Sequence, residues 1–452
     1  MPVVQTAAMG TNELLDLSGA IVDAWSRPGG PPAGAPEGPT NRVTNELTAI
    51  DDGLAFIESF SNVVSLRTDE GLVLFDASSV FTGKGCVASL RRWADDPIHS
   101  LIYTHGHVDH VGGSGHFVRD GEIRGHAAPQ VIGHEAVGDR FARYRATDGW
   151  NLAINARQFG PGFGGGTLRA DGTRVPFLPE STAECTLTYD DHLSLNVGGL
   201  DVELHHDRGE TDDHTWAWIP RYRAVAVGDF VAWVFPNAGN PQKVQRYPAE
   251  WAAALRRMLA LEPELLLPAH GLAVSGKERV ATVLGDLATA LEQLVADVVA
   301  AMNAGATLDE IVHAVRPDDD LIRRPWLRPI YDEPEFVVRN VWRLYGGWWD
   351  GDPAHLKPPS GSALAHELAD LAGGPAALAA RAQILSEAGD HRLACQLVEL
   401  AAQASEDAGV WRLRSALYRV RAEAESSLMA KGVYAEAARA GDDHAAALAR
   451  PT

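Results

Sequence analysis

Cysteine is nearly missing from this chain. Cys86, Cys185 and Cys395 are the only three in 452 residues, odd in number and without a CxxC pair. That excludes a disulfide framework and a cysteine zinc site and leaves three buried free thiols as the expectation. Positive charge is also scarce, with 39 Lys and Arg against 60 Asp and Glu and a formal net charge of −21. The balance argues against nucleic acid or an anionic membrane surface as a partner, so an anionic substrate would need local positive charge such as a bound metal. No run of 18 apolar residues occurs, and "MPVVQTAAMGTNELLDLSG" lacks the basic-then-apolar order of a leader. The chain therefore reads as soluble and cytoplasmic, without membrane insertion. The glycine-rich stretch "FGPGFGGGTLRADGTRVPFLPES" (159 to 181) is not closed by Gly-Lys-Ser/Thr and reads as a flexible insertion, not a phosphate loop.

What is present is enough for more than one core. Residues 1–42 form an extension ending in the Pro/Gly-rich "SRPGGPPAGAPEGPTNR", which cannot hold regular structure. From 43 to 280, strands and helices mix. "GLAFIESFSNVVSLRTDEGLVLFD" alternates apolar runs with turn residues, "GKGCVASLRRWADD" reads as a helix and "IHSLIYT" as a strand. "PQVIGHEAVGDRFARYRA" reads as helical. Strands resume at "CTLTYDDHLSLNVGGLDVELHHD", "HTWAWIP" and "RAVAVGDFVAWVF", followed by a helix at "PAEWAAALRRMLAL" and a short strand at "ELLLPAHG". Beyond 280 the pattern turns alanine- and leucine-rich and helical: a linker region over 281–324, then a domain over 325–452. Its stretches "AALAARAQILSEAGD" and "HRLACQLVELAAQASED" resemble tetratricopeptide-type helical pairs, too few for a solenoid. The class is α/β followed by an all-α domain.

The most chemical stretch is "THGHVDHVGG", directly after the apolar run "HSLIYT". His105 and His107 are two apart, so at a strand end both side chains point the same way and can clasp one ion. Asp109 and His110 begin the following turn. One loop can thus present two ligand pairs to two neighbouring ions, and imidazole with carboxylate suits zinc.

This segment resembles the HxHxDH motif of the metallo-β-lactamase superfamily, which implies an αββα sandwich with a binuclear metal centre. The resemblance implies further ligands at Asp229 in "AVGDFVA" and His270 in "LLLPAHG". Where that superfamily has a Gly-His-Thr turn, this chain reads "RGETDDH" and places Glu210. The implied set is His105, His107 and Glu210 at one ion, Asp109, His110 and His270 at the other, and Asp229 between them. Two zinc ions per chain are expected, with iron or manganese also admitted by these ligand types. Asp109 and His214 are the catalytic candidates, His214 in support of the ligands. His205 and His206 are expected to be strand or supporting residues. Three carboxylates against four metal charges leave room for about one more negative charge, which makes the centre less electrophilic than one with histidine in that turn.

Glutamate in that turn resembles the alkylsulfatase branch, and the likeness spans most of residues 45 to 445. It includes "EPEFVVRNVWRLYGGWWDGDPAHLKP", similar to that family's dimerisation domain. The resemblance implies metal-assisted hydrolysis of an alkyl sulfate ester to alcohol and sulfate, and a homodimer through the residues from about 325 onward. The aromatic cluster Trp342, Tyr345, Trp348 and Trp349 is costly to expose, which fits a dimer contact or packing against the hydrolase domain. Three departures accompany it. The family's sterol-carrier-like third domain does not appear before Thr452, which makes long-chain detergents less expected. Its bridging glutamate is Asp229 here. Its sulfate-binding arginine has no match, although Asn237, Asn240, Lys243 and Arg246 fall in the corresponding region as candidate substrate contacts. Trp150, Phe159, Phe163, Trp233 and Phe235 could line an apolar tunnel or simply pack in the core. Other readings are hydrolysis of a phosphodiester, lactone or thioester, or a helical interaction protein with a degenerate hydrolase domain.

Overall fold

Buried apolar runs set the first sheet. In the computed structural model, which describes residues 11–27, 30–38, 41–160, 172 and 174–450, the strands "LAFIE" and "GLVLF" are buried along their whole length. Their continuous apolar character, in place of alternation, fits strands covered on both faces. The seven-stranded sheet runs in chain order: β1 (Glu46–Asp51), β2 (Leu54–Glu58), β3 (Val63–Thr68), β4 (Gly71–Phe75), β5 (Ile98–Ile102), β6 (Gln130–His134) and β7 (Leu187–Tyr189). Pairing is antiparallel from β1 to β4 and parallel from β4 to β7.

A six-stranded sheet follows, with β8 (His192–Val197), β9 (Leu200–His206), β10 (Thr215–Ile219), β11 (Ala224–Gly228), β12 (Leu265–Pro268) and β13 (Val274–Ser275). Its order is β13-β12-β11-β10-β9-β8, which leaves β8 on an edge. The two sheets face each other through Phe56, Val64, Phe75 and Ile102 on one side and Val202, Leu204, Ala217 and Ile219 on the other. The far face of the first sheet buries Ile57, Leu74 and Leu101 against Leu90, Phe117 and Phe141 of helices Gly83–Trp93, Ser114–Arg124 and Ala136–Ala146. Helices Pro248–Ala260 and Lys277–Asn303 bring Trp251, Leu255, Val283 and Leu287 into the core of the second sheet. The layering is helix, sheet, sheet, helix, as the resemblance implies.

The chain divides by internal contacts into residues 1–151 with 175–348 and residues 152–174 with 349–452. Ile311, Val312, Val337 and Val341 lie in the same core as the sheets. Residues 281–348 therefore pack within the first unit. The second unit is built from helices Gly361–Ala372, Pro375–Glu387, His391–Gln403, Ala408–Ala424 and Leu428–Leu448. Ser360, Asp390, Asp407 and Ser427 each accept an amide at a helix start, satisfying donors that have no partner inside the helix. The core of this unit is rich in small residues, with Ala369, Ala379, Ala401 and Ala402 in one cluster and Ala382 and Ala394 in another, which lets helices approach closely. No helix among the described residues is long and apolar enough to cross a membrane.

Two sequence expectations need correction. "PQVIGH" is not the start of a helix: Val131 and Ile132 are buried in β6, between β5 and β7, and the helix begins at Ala136. "RAVAVGDFVAWVF" is not one strand either. It ends at Gly228, whose φ of 53° turns the chain, and Phe230 N–H then bonds back to Val227 O.

Candidate metal centre

The chain leaves β5 at Ile102 and is caught at once by Asp76, which lies just beyond β4. Thr104 donates its amide to Asp76 Oδ1 (2.8 Å) and its hydroxyl to Oδ2 (2.7 Å). The same Oδ2 meets His110 Nδ1 at 2.7 Å, and Ser61 Oγ is 3.0 Å from that nitrogen. With Nδ1 engaged, His110 Nε2 is turned to Asp229 Oδ1 at 3.3 Å. A carboxylate behind an imidazole fixes the ring orientation and raises its basicity.

A second clamp holds the loop from the opposite side. Gly106 N–H donates to Asp213 Oδ2 (3.0 Å), and a Cβ at Gly106 would stand 2.8 Å from Arg140 Cδ. Arg140, fully buried, donates Nε to the same Asp213 oxygen (2.7 Å) and pairs with Asp212. Although burial opposes it, Arg140 holds the Asp213 carboxyl well below the ordinary range. The metal-type loop and the turn carrying Glu210 are thereby tied together.

Asp229 stands at the centre. Its Oδ1 lies 3.3 Å from His110 Nε2 and 3.4 Å from His270 Nε2, and its Oδ2 lies 3.8 Å from His105 Nε2. His105 Nε2 and His107 Nδ1 are 2.8 Å apart, and His270 Nε2 is 3.5 Å from Asp109 Oδ2. Two donor groups result, His105 with His107 and Asp229, and Asp109 with His110 and His270, the atoms within each lying within 4.8 Å of one another. Burial holds His105 and His107 well below their ordinary value, and neighbouring cationic groups add to this, so both stay neutral and able to ligate. His110 is raised well above its ordinary value against the effect of burial, by Asp229, Asp76 and Asp109.

Glu210 belongs to the same cluster. Its Oε1 is 3.6 Å from His107 Nδ1 and accepts from Arg246 Nη1 (2.6 Å) and Asn237 Nδ2 (2.5 Å). Burial, opposed by Arg246 but reinforced by Asp229, raises its carboxyl to about 8. His214 is elsewhere in the arrangement: its Nε2 accepts the Asp229 amide (3.2 Å), and its ring stacks on His105 at 4.6 Å. It sets where Asp229 and His105 sit. Gly228 is required here, since a Cβ would meet His214 Cε1 at 2.7 Å and Thr104 Cβ at 2.8 Å.

The residues fit metal ions. His110 Nε2 and Asp229 Oδ1 are buried polar atoms without a hydrogen-bond partner among the described residues, a costly state that ligation would relieve. The two carboxylates crowded together at Glu210 and Asp229 likewise call for a cation. Three carboxylates and four imidazoles form a hard-to-borderline donor set suited to zinc, iron or manganese.

The four candidate substrate contacts divide. Asn237 and Arg246 direct donors to Glu210, Arg246 also reaching its backbone carbonyl at 3.1 Å. The amides of Gly239 and Asn240 both donate to the buried Asp332. Lys243 lies over the Phe177 ring, and burial lowers its ammonium to about 8. Of the aromatics, Trp233 and Phe235 are buried in the core, Trp150 is exposed, Phe159 is half-buried, and Phe163 lies outside the described residues. Neither His205 nor His206 joins the centre: His205 stacks on Trp216, and His206 stacks on His134 and meets His214 O at 2.9 Å.

Asp76, Arg140, Asp213 and Asp332 were not singled out in the sequence. The aspartate closing "LVLFD" and the second aspartate of "RGETDDH" carried a weak signal by position. Arg140 and Asp332 carried none.

Comparison with known proteins matches residues 57–270 to the metallo-beta-lactamase superfamily and residues 307–443 to the alkyl sulfatase dimerisation family. A linear primary-alkylsulfatase of Pseudomonas sp. is 29% identical over 344 residues, 73% of this chain and 62% of that protein. An (R)-specific secondary-alkylsulfatase of Pseudomonas sp. is 25% identical, over 75% of this chain and 53% of its own length. This chain thus spans a little over half of those relatives. The alpha subunit of a 2,4-dinitroanisole O-demethylase of Nocardioides sp. is 24% identical, over 75% of this chain and 87% of its own length. Among solved structures, the sec-alkylsulfatase Pisa1 of Pseudomonas sp. shares the fold at a TM-score of 0.75 and 20% identity, covering 90% of this chain and 66% of that one.

Proposed function

Because the chain carries a metallo-beta-lactamase superfamily domain joined to an alkyl sulfatase dimerisation domain, we propose that it is a metal-dependent hydrolase of alkyl sulfate esters. The observation that carries this reading is Asp229, whose two oxygens face two separate buried donor groups. His105, His107 and Glu210 would hold one ion, and Asp109, His110 and His270 the other, with Asp229 between. Bound there, the ions supply Lewis acidity toward water and an ester oxygen.

The remaining work falls to the chain's own side chains. Asp76 fixes the His110 tautomer, and His214 holds the Asp229 amide. The Arg140–Asp213 clamp keeps the loop Thr104–His107 in register with Glu210. Lys243, close to Asp109 and Glu210, supplies a positive charge to an anionic ester beside the centre. Homodimerisation belongs to the same reading. It is supported by the match over 307–443 and by Trp348, Leu371 and Ile384, exposed by 72%, 84% and 55%.

A second reading, hydrolysis of an uncharged aryl ether, is favoured by two observations. The guanidinium of Arg246 is engaged by Glu210, and the demethylase subunit is the relative whose length this chain nearly spans. One experiment separates the two. Metal content is measured on protein purified without added zinc, and turnover is then assayed on primary and secondary alkyl sulfates, a phosphodiester, a lactone and a nitroaryl methyl ether. Sulfate release that is lost in His105→Ala, with the fold retained, is the expected result. Turnover of another class with none on any sulfate would overturn the proposal.

A further inference from the structure

We propose that His192, Glu203 and His205 form a separate metal site on the outer face of the second sheet, taking one divalent ion of the zinc class. The strand register builds it. His192 of β8 is the direct partner of His205 on β9, and Glu203 precedes His205 by two residues. All three side chains therefore leave the sheet on one face of two adjacent strands. One donor atom from each lies within 4.8 Å of the others.

His205 is the fixed member. Its ring stacks at 4.2 Å and 16° on Trp216, its register partner on β10, and lies 4.8 Å from the His192 ring. Its Nε2 is buried, has no hydrogen-bond partner among the described residues, and stands 3.7 Å from Glu203 Oε2. A buried ring nitrogen left open toward an imidazole and a carboxylate is a costly arrangement unless something binds there. Burial, then the charge of His192, keeps His205 below its ordinary value and so neutral, the form that ligates.

Tetrahedral zinc with bonds of about 2.0–2.2 Å places its donors roughly 3.4 Å apart. Closing the present spacing takes a movement of about 1 Å, within reach of side-chain rotation at His192, which is exposed, and Glu203, which is half-exposed. The site shares nothing with the Asp229 cluster. His206, the next residue, points to the other face and stacks on His134. An ion here would tie the edge strand β8, which has a single neighbour, to β9.

The test is a zinc titration of tag-free, full-length protein with metal analysis of each form. Counting the difference between wild type and variants makes the answer independent of what the Asp229 cluster holds. Wild type is expected to bind one zinc per chain more than His192→Ala or Glu203→Ala. Since loss of a supporting partner alone costs 10–100-fold in affinity, loss of a ligand should weaken that extra ion by about 100-fold. If wild type binds no extra zinc, or if either variant keeps it at wild-type affinity, the site is overturned.

Discussion

Asp76 shows how much of the site depends on a residue that carries no metal-type signal. It is buried, and its two oxygens serve Thr104 and His110 together. In Asp76→Asn, one oxygen becomes an NH2 that cannot accept, so Thr104 and His110 can no longer both be held as they are. The expected result is a loss of about 10–100-fold in affinity for the ion at His110, read by competition with a chelator, while the ion at His105 and His107 is retained longer. Glu210→Gln tests the neighbouring position. It keeps the size and the contact to Arg246 but removes a charge, so metal affinity should fall while the metal-free protein becomes more stable than wild type near neutral pH. The sign follows from the raised carboxyl. Its favourable contribution is complete below its ordinary 4.5 and is lost as pH rises through about 8. Melting of both metal-free forms from pH 5 to 8 checks this.

At the scale of elements, two features set the geometry. Gly228 ends β11 at a positive φ, with no room for a Cβ between His214 and Thr104. Gly228→Ala should cost at least about 1–2 kcal/mol from backbone conformation alone. It should also reduce metal content, because Asp229 follows directly, and a denaturation curve with metal analysis reads both. The His134–His206 stack bridges β6 and β9. Burial holds both imidazoles below 6.5. Their stabilising contribution is therefore full above pH 6.5 and drains as pH falls through their depressed values, and His206→Gln should flatten that acid loss. The seven residues that the fold gathers were legible because they follow apolar strands, lie in one short loop or fall in the turn "RGETDDH". "PQVIGH" was not, since a five-residue strand running into a helix has no period of its own. Asp332 was also illegible, because it caps a loop more than 90 residues away in sequence.

For the whole molecule, light scattering at micromolar concentration should show a homodimer, and a monomer would remove that proposal without touching the hydrolytic one. Its association is expected to involve 307–443, the span matched to the dimerisation family. The two-unit division carries a further consequence. Residues 152–174 belong with 349–452, so the helical unit is made from two separated stretches of chain. Within it, Gly432 lies directly against the backbone of Gln158. On the ribosome, Gln158 emerges roughly 270 residues before its packing partner, a wait of about 14 to 55 s at typical synthesis rates of 5–20 residues per second. Until residues from 349 onward emerge, the segment after Asn151 lacks the other stretch of its own unit. Vectorial synthesis thus leaves this excursion waiting for its partner stretch, and a gene permuted to begin near residue 349 would remove the wait.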